Sequence, residues 1–320
     1  MKQVQLGSTG HSISALCYGA MSFGGDADAA EAARLYAMCR DAGIDCFDCA
    51  NIYSTGRAEE ILGQCIAQER DALTITSKVG MQPTGLTRRA IMMEAEASLR
   101  RLGTDRMDIY FLHRFRPETR LEETLRALDD LVAQGKVVWL GVSNWAAWQI
   151  ALALGHQAAE GLARFDVIQP MYNLVKRQTE VEILPLAIDQ GLAVMPYNPL
   201  AGGVLTGKYL SPAETGGPAR GRLDEVAHYA RRYSGAGLAD AVRRFLEFAA
   251  REGFDPVTLA DAWVMAHPGV TAPIIGARAT HQLAPALAAA SFEMTPDLYA
   301  ALSDLTPTPP PATDRTDERT

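Results

Sequence analysis

The sequence predicts an α/β fold, a (β/α)8 TIM barrel with an N-terminal β-hairpin and an extended loop after strand seven. Three observations predict it. An amphipathic helix, a Gly or polar turn and a short apolar run recur along most of the chain, and strands alternating with helices in this way build parallel sheets. Candidate strands start near positions 15, 44, 73, 107, 137, 166, 192 and 271, and the first seven lie about 30 residues apart, the length of one βα unit. The middle strands end in polar residues, as expected where parallel strands converge on a ligand-binding face. Eight strands favour a closed barrel, although an open doubly wound sheet has the same periodicity.

The elements follow in order. Residues 1–14 read as a small hairpin with GSTG at its tip. Over 28–42, Ala29, Ala32, Ala33, Tyr36 and Cys39 recur at helical spacing, Gly43 ends the helix, and IDCF reads as a strand. Ile91, Ala95, Leu99 and Leu102 mark a helix stopped by Gly103 before MDIYFL. Leu121, Leu125, Leu128 and Val132 mark another, stopped by Gly135 before VVWLGV, and a later helix stops near Gly191 before LAVMPY. The gap before the last strand is too long for one unit, so it must hold an inserted loop around 208–235 and more than one helix. Residues 1–305 are expected to form one barrel domain. The Pro-rich, then charged stretch 306–320 cannot bury a core and is expected to be disordered.

Composition narrows the partners. Hydrophobic residues make up 48% of the 320 and charged ones 21%, enough apolar surface for a sizeable core. A formal net charge of −8 gives no basic footprint for nucleic acid or an anionic membrane, so a ligand phosphate must be met locally and the partner is expected to be small. The first residues lack an apolar core and no run of ~18 apolar residues occurs, so a cytoplasmic chain is expected. Cysteines at 17, 39, 46, 49 and 65 are expected to be reduced thiols. Cys46 and Cys49 form a CxxC, but no second CxxC or His pair follows at zinc spacing, so no metal site is expected. Gly202, Gly207 and Lys208 satisfy part of a P-loop, yet Tyr209 stands where Ser or Thr should hold Mg²⁺.

The chemistry gathers at the strand ends: Asp48, Lys78, His113, Ser143 with Asn144, Gln169 and Tyr197. Tyr53 follows in the loop FDCANIY. A polar residue closing one strand is ordinary, and a lone Tyr, Lys or His is most often packing or solvated. Together, Asp48, Tyr53, Lys78 and His113 can protonate a carbonyl oxygen. Tyrosine is a weak acid of pKa ~10, and a nearby ammonium, Lys78, is expected to move it toward the working range. Asp48 would hold Lys78, and His113 would orient the carbonyl.

These residues and their surroundings resemble the aldo-keto reductase family from Val4 to about Leu287. LGSTGHSISALCYGAMSFGG is similar to its hairpin and first strand, FDCANIYSTGRAEEILG carries its Asp and Tyr, TSKVG its Lys and YFLHRFRPETRLEETL its His. GVSNW, IQPMYNLVKR, MPYNPLAGGVLTGKY and APIIGARATHQLAPAL resemble its cofactor-binding stretches in order. The resemblance implies a reductase that transfers hydride between NADP(H) and an aldehyde or ketone, with Tyr53 as acid/base. It implies that Ser143, Asn144 and Gln169 hold the nicotinamide carboxamide and that Tyr197 stacks on the ring. Asn198, Pro199, Leu200, Gly202 and Lys208 would line the pyrophosphate, with Arg222 closing over it and Ala20 and Met21 contributing from the first strand end. Ile275, Gly276, Arg278 and Gln282 would meet the adenosine end, where a guanidinium favours a 2′-phosphate and hence NADP(H) over NAD(H). Ala286, preceded by Pro285, departs from the family, which usually has an Asn there for adenine. The same fold also serves NADP(H)-binding partner subunits of potassium channels, the alternative reading. Trp145, Phe23, Phe115 and Met171 are expected to form an apolar wall for carbonyls with an aromatic or aliphatic body, whereas Arg114 and Arg116, beside His113, would instead favour anionic or sugar-phosphate carbonyls.

Overall fold

A computed structural model of the chain describes residues 1–210 and 221–313. Among these, the strands β1 (Gln3–Gln5) and β2 (Ser12–Ser14) form the antiparallel hairpin. A parallel 8-stranded sheet follows, in the order β10, β3, β4, β5, β6, β7, β8, β9. Its strands are β3 (Cys17–Gly19), β4 (Cys46–Asp48), β5 (Thr74–Val79), β6 (Met107–Leu112), β7 (Val137–Ser143), β8 (Phe165–Gln169), β9 (Ala193–Val194) and β10 (Ile274–Ile275). The sheet closes on itself. Past the short β9, Tyr197 bridges Ile274, the Ile274 amide donates to the Pro196 carbonyl at 2.8 Å, and the Thr271 amide donates to Val194 at 2.8 Å. This is a (β/α)8 barrel.

The helices expected at 28–42, 91–102, 121–132 and before Gly191 are present, and two more accompany them. Helices α1 (Ala29–Asp41), α2 (Arg57–Ile66), α3 (Arg88–Leu102), α4 (Leu121–Ala133), α5 (Ala147–Glu160) and α6 (Ile183–Gln190) separate the successive strands. Side chains of Asp28 and Thr87 accept backbone N–H bonds at the starts of α1 and α3, supplying partners that a helix N-terminus lacks. Gly103 and Gly191 end α3 and α6 at φ 63°, a left-handed conformation that costs a residue without Cβ little. Between β9 and β10 come the short helices Arg222–Glu225 and Ala227–Arg232, then Leu238–Glu252 and Pro256–Ala266. The expected loop at 208–235 thus carries two helical turns, with part of it outside the described residues. Part of the expected disordered tail, 314–320, also lies outside them.

Most residues of the barrel strands are buried, on both faces, as a sheet covered by helices requires. Along β6, Ile109 and Phe111 face the barrel interior, while Tyr110 and Leu112 pack against the outer layer. Leu6 and Ile13 of the hairpin are fully buried in the interior cluster, each burial contributing roughly 1.5–3 kcal/mol. The Ser8 amide donates to the Gly191 carbonyl at 3.0 Å, and the Ser14 amide donates to Asp45 Oδ1 at 2.7 Å. Both partners precede strands, so the hairpin seals the end where the strands begin. The other end stays open for a ligand. Cys46 sits in the interior cluster and Cys49 in the outer one, so the CxxC thiols do not share a face. Among the described residues no helix is long and apolar enough to cross a membrane, and no His, Cys, Asp and Glu cluster suits a metal ion.

Candidate active site

At the open end the strand termini line a cavity of about 660 Å³, within the size range of small-molecule and cofactor sites. Its deepest chemistry is ionic. Lys78, on β5, is fully buried, and its ammonium donates to Asp48 Oδ2 at 2.6 Å and to the Cys49 carbonyl at 2.7 Å. The parallel register that sets Asp48 of β4 opposite Thr76 of β5 brings these groups together. The other Asp48 oxygen accepts from Thr76 Oγ1 at 2.7 Å and from Gln169 Nε2 at 2.9 Å. Every oxygen of a nearly buried carboxylate is thereby satisfied, which a buried ion pair requires.

Tyr53 completes the arrangement. Its hydroxyl lies 3.5 Å from Lys78 Nζ, the third partner in reach of the ammonium, and its ring meets His113 edge-on with centroids 6.0 Å apart. Backbone bonds fix the loop that carries it: the Asn51 amide donates to the Lys78 carbonyl at 3.3 Å and the Tyr53 amide to Ala50 at 3.0 Å. Just beyond, Ser54 and Thr55 adopt positive φ, 47° and 56°. Such non-glycine conformations cost free energy and persist where the surroundings enforce them. Ser54 does so by donating its hydroxyl to the Phe23 carbonyl at 2.8 Å.

The electrostatics differ from the sequence expectation at one group. Burial raises the Tyr53 hydroxyl and outweighs the lowering by Lys78, leaving it pushed up to about 12 rather than drawn toward neutrality. Burial pulls the Lys78 ammonium down, but Asp48 and the other facing groups raise it further, so it stays charged. Burial and then the Lys78 charge push His113 down to about 3, so its imidazole is neutral at physiological pH. His113 Nδ1 is buried without a hydrogen-bond partner.

Beside this group, Ser143 Oγ donates to the Gln169 carbonyl at 2.8 Å. Asn144 Nδ2 donates to His113 O at 2.9 Å and to Ser143 Oγ at 3.0 Å, while Tyr197 OH donates to Asn144 Oδ1 at 2.6 Å. The next wall is backbone. Asn198 and Ala201 have φ 60° and 54°, followed by Gly202 and Gly203 at 68° and 91°. A Cβ on Gly202 would come within 3.0 Å of Tyr229, and one on Gly203 within 2.8 Å of Lys208. Asn198 Nδ2 is buried with no partner. A glycine cradle with an unused amide donor and the Lys208 ammonium fits a phosphate-bearing ligand. Arg222 donates to Tyr229 OH at 3.5 Å. Arg278 is held by Glu225 at 2.7 Å and Asp26 at 3.0 Å, and its amide donates to Gln282 Oε1 at 3.0 Å.

The cavity gathers Asp48, Tyr53, His113, Met21, Ser143, Asn144, Gln169 and Tyr197 at one end and Lys208, Arg222, Ile275, Gly276, Arg278 and Gln282 toward the other, with Asn198, Pro199, Leu200 and Gly202 between. Lys78 stands behind the wall. Ala20 is fully buried, and its neighbours Gly19 and Ser22 line the cavity instead. The expected apolar wall differs: none of Phe23, Phe115, Trp145 and Met171 lines the cavity. Phe23 is buried in the outer core, Phe115 packs edge-on to Trp145 at 4.9 Å, and Met171 receives the Tyr233 hydroxyl at 3.6 Å. Met21, Ile52 and Met81 supply apolar surface there. Arg116 donates to the Gly80 and Gln82 carbonyls, a loop-building role, and Arg114 is exposed. Sequence reasoning missed Thr76, Tyr229, Arg232 and Asp261. Only Asp261 left a trace in the sequence, as a carboxylate inside the apolar run PVTLADAWVMA.

The profile of the Aldo/keto reductase family matches residues 15–306. An uncharacterized oxidoreductase, YrpG, of Bacillus subtilis (strain 168) is 33% identical, with 97% of each chain covered. A probable voltage-gated potassium channel subunit beta of Arabidopsis thaliana is 35% identical, over 88% of this chain and 89% of its own. A versiconal hemiacetal acetate reductase of Aspergillus parasiticus is 28% identical, over 93% of this chain and 94% of its own.

Proposed function

Because the chain belongs to the aldo/keto reductase family, we propose that it is an NADP(H)-dependent reductase of aldehydes or ketones, with residues 1–305 acting as one barrel domain. The observation that carries this reading is the buried Lys78 ammonium, which touches Asp48, the Cys49 carbonyl and the Tyr53 hydroxyl together. A bound reduced nicotinamide would supply the hydride. Tyr53 then delivers its hydroxyl proton to the carbonyl oxygen as negative charge develops there. Lys78 stabilises the phenolate left behind, and Asp48 keeps Lys78 charged and aimed. Neutral His113 donates an N–H to the same carbonyl oxygen and orients it. Ser143, Asn144 and Gln169 would hold the carboxamide, Tyr197 would shield one face of the ring, and the cradle at 198–203 with Lys208 and Arg222 would hold the pyrophosphate. Arg278 at the far end favours NADP(H) over NAD(H).

Two relatives support turnover by their names, an oxidoreductase and a reductase. The channel-subunit relatives favour a second reading, a nucleotide-binding partner subunit without significant turnover. The complete set of Asp48, Tyr53, Lys78 and His113 favours the enzyme. Fluorescence titration with NADPH and with NADH, followed by loss of absorbance at about 340 nm on adding a panel of aldehydes, tests both. NADPH binding with turnover supports the reductase, binding without turnover supports the partner subunit, and binding of neither nucleotide overturns both.

A further inference from the structure

Among the described residues, Asp261 is the one carboxylate in the cavity wall for which the mechanism above has no use. It lies on the helix Pro256–Ala266, is 0% exposed, and neither of its oxygens has a hydrogen-bond partner. One turn earlier on the same helix, Val257 also lines the cavity, and across from them stand Gln282, Pro285 and Ala286. The Thr258 hydroxyl donates to the Pro285 carbonyl at 2.7 Å and pins the helix to that segment. Arg278 opens into the same end of the cavity. Val257, Pro285 and Ala286 bring apolar side chains, so this is a slot for a flat ring, with the Asp261 carboxyl at its wall.

An unpartnered buried carboxyl is costly to the empty protein, so it calls for a partner that arrives with a ligand. Burial, reinforced by the charge of Asp255, pushes the Asp261 carboxyl well above the ordinary carboxylate range. A neutral carboxyl presents one C=O acceptor beside one O–H donor, the same pattern as a side-chain amide. Adenine offers the complement, an amine donor beside a ring-nitrogen acceptor, which an amide recognises by two parallel bonds. No side-chain amide stands at position 286, which is Ala here. We propose that Asp261 is an adenine-recognition residue of the nucleotide site, doing from the facing helix what a side-chain amide at position 286 would do. This rests on the nucleotide reading above and deepens it.

The test compares wild type with Asp261→Asn, Asp261→Leu and Asp261→Ala, titrated with NADPH and with reduced nicotinamide mononucleotide, which lacks the adenosine half. Asp261→Leu and Asp261→Ala should weaken NADPH roughly tenfold or more while leaving the mononucleotide unchanged. Asp261→Asn, which keeps the donor and acceptor, should retain NADPH affinity. Asp261→Leu should also raise the apo melting temperature, because it removes a buried group without a partner. NADPH bound by folded Asp261→Leu or Asp261→Ala as tightly as by wild type would overturn the assignment, as would equal loss of both nucleotides. Wild type that binds neither NADPH nor NADH would overturn the nucleotide reading itself, a result distinct from either.

Discussion

The two ends of the cavity treat charge in opposite ways. Around Lys78 the chain satisfies its own ions: Asp48 has partners on both oxygens, and the ammonium has three acceptors within reach. At the far end Asp261 has none, and Arg278 is tied to Glu225 and Asp26, carboxylates that are themselves partly open to solvent. A group that must work the same way in every turnover is set by the protein. A group that must exchange partners when a ligand enters is left unmet or loosely met.

Breaking the satisfied end should cost most. Lys78→Met leaves Asp48 as a buried charge with only neutral donors, and we expect a loss of about 3–5 kcal/mol of stability, measured by urea unfolding, together with loss of reduction. A variant as stable as wild type would mean that the pair is not the keystone of this end. Tyr53→Phe should come next. It removes the proton donor but neither member of the pair, so reduction should fall by ~10²-fold or more while NADPH affinity is held. With its hydroxyl pushed up to about 12, Tyr53 remains the protonated acid through the neutral range, so the reduction rate should be flat there and decline only in strong alkali.

The satisfied end is also the legible one. Asp48, Lys78, His113, Ser143 and Gln169 close strands whose spacing and apolar composition identify them, so their convergence follows from the fold alone. Their supporting contacts do not. Thr76 reaches Asp48, and the Cys49 carbonyl reaches Lys78, only because β4 and β5 pair in one register, which no property of the individual residues announces. The apolar wall is illegible for a related reason. Phe23, Phe115 and Trp145 sit near strand ends, but a large ring there can turn outward to pack under a helix as easily as inward. Asp261 projects from a helix far along the chain, away from the strand ends where a polar residue is legible. Its one signal, a carboxylate within an apolar helix, is weak until burial is known.

The unmet end should respond more mildly, because partners there are exchanged rather than simply lost. A 2′-phosphate reaching Arg278 must share or displace Glu225 and Asp26, whose bonds at 2.7 and 3.0 Å already occupy the guanidinium. Arg278→Ala should therefore weaken NADPH roughly tenfold more than NADH, read from paired titrations. Equal loss of both nucleotides would make Arg278 a clasp for the 221–232 segment rather than a phosphate contact.

The smallest expected effect lies at the boundary between the two behaviours. His113 belongs to the satisfied end, yet its Nδ1 is buried without a partner, and its folded value is pushed from 6.5 to about 3 by burial and then by Lys78. Between those two values the unfolded chain binds a proton that the folded chain refuses, so stability is full above about 6.5 and declines as pH falls toward 3. At pH about 6 the decline amounts to roughly 0.8 kcal/mol, about 2 °C or less in melting temperature for a chain of this size. His113→Asn should remove that component, so the stability of wild type relative to the variant should fall between pH about 8 and about 6. An unchanged difference would mean that His113 protonates freely in the fold. A falling one would mean that its imidazole is kept neutral by burial and by the ammonium beside Tyr53, and donates an unvarying N–H to the substrate instead of switching with pH.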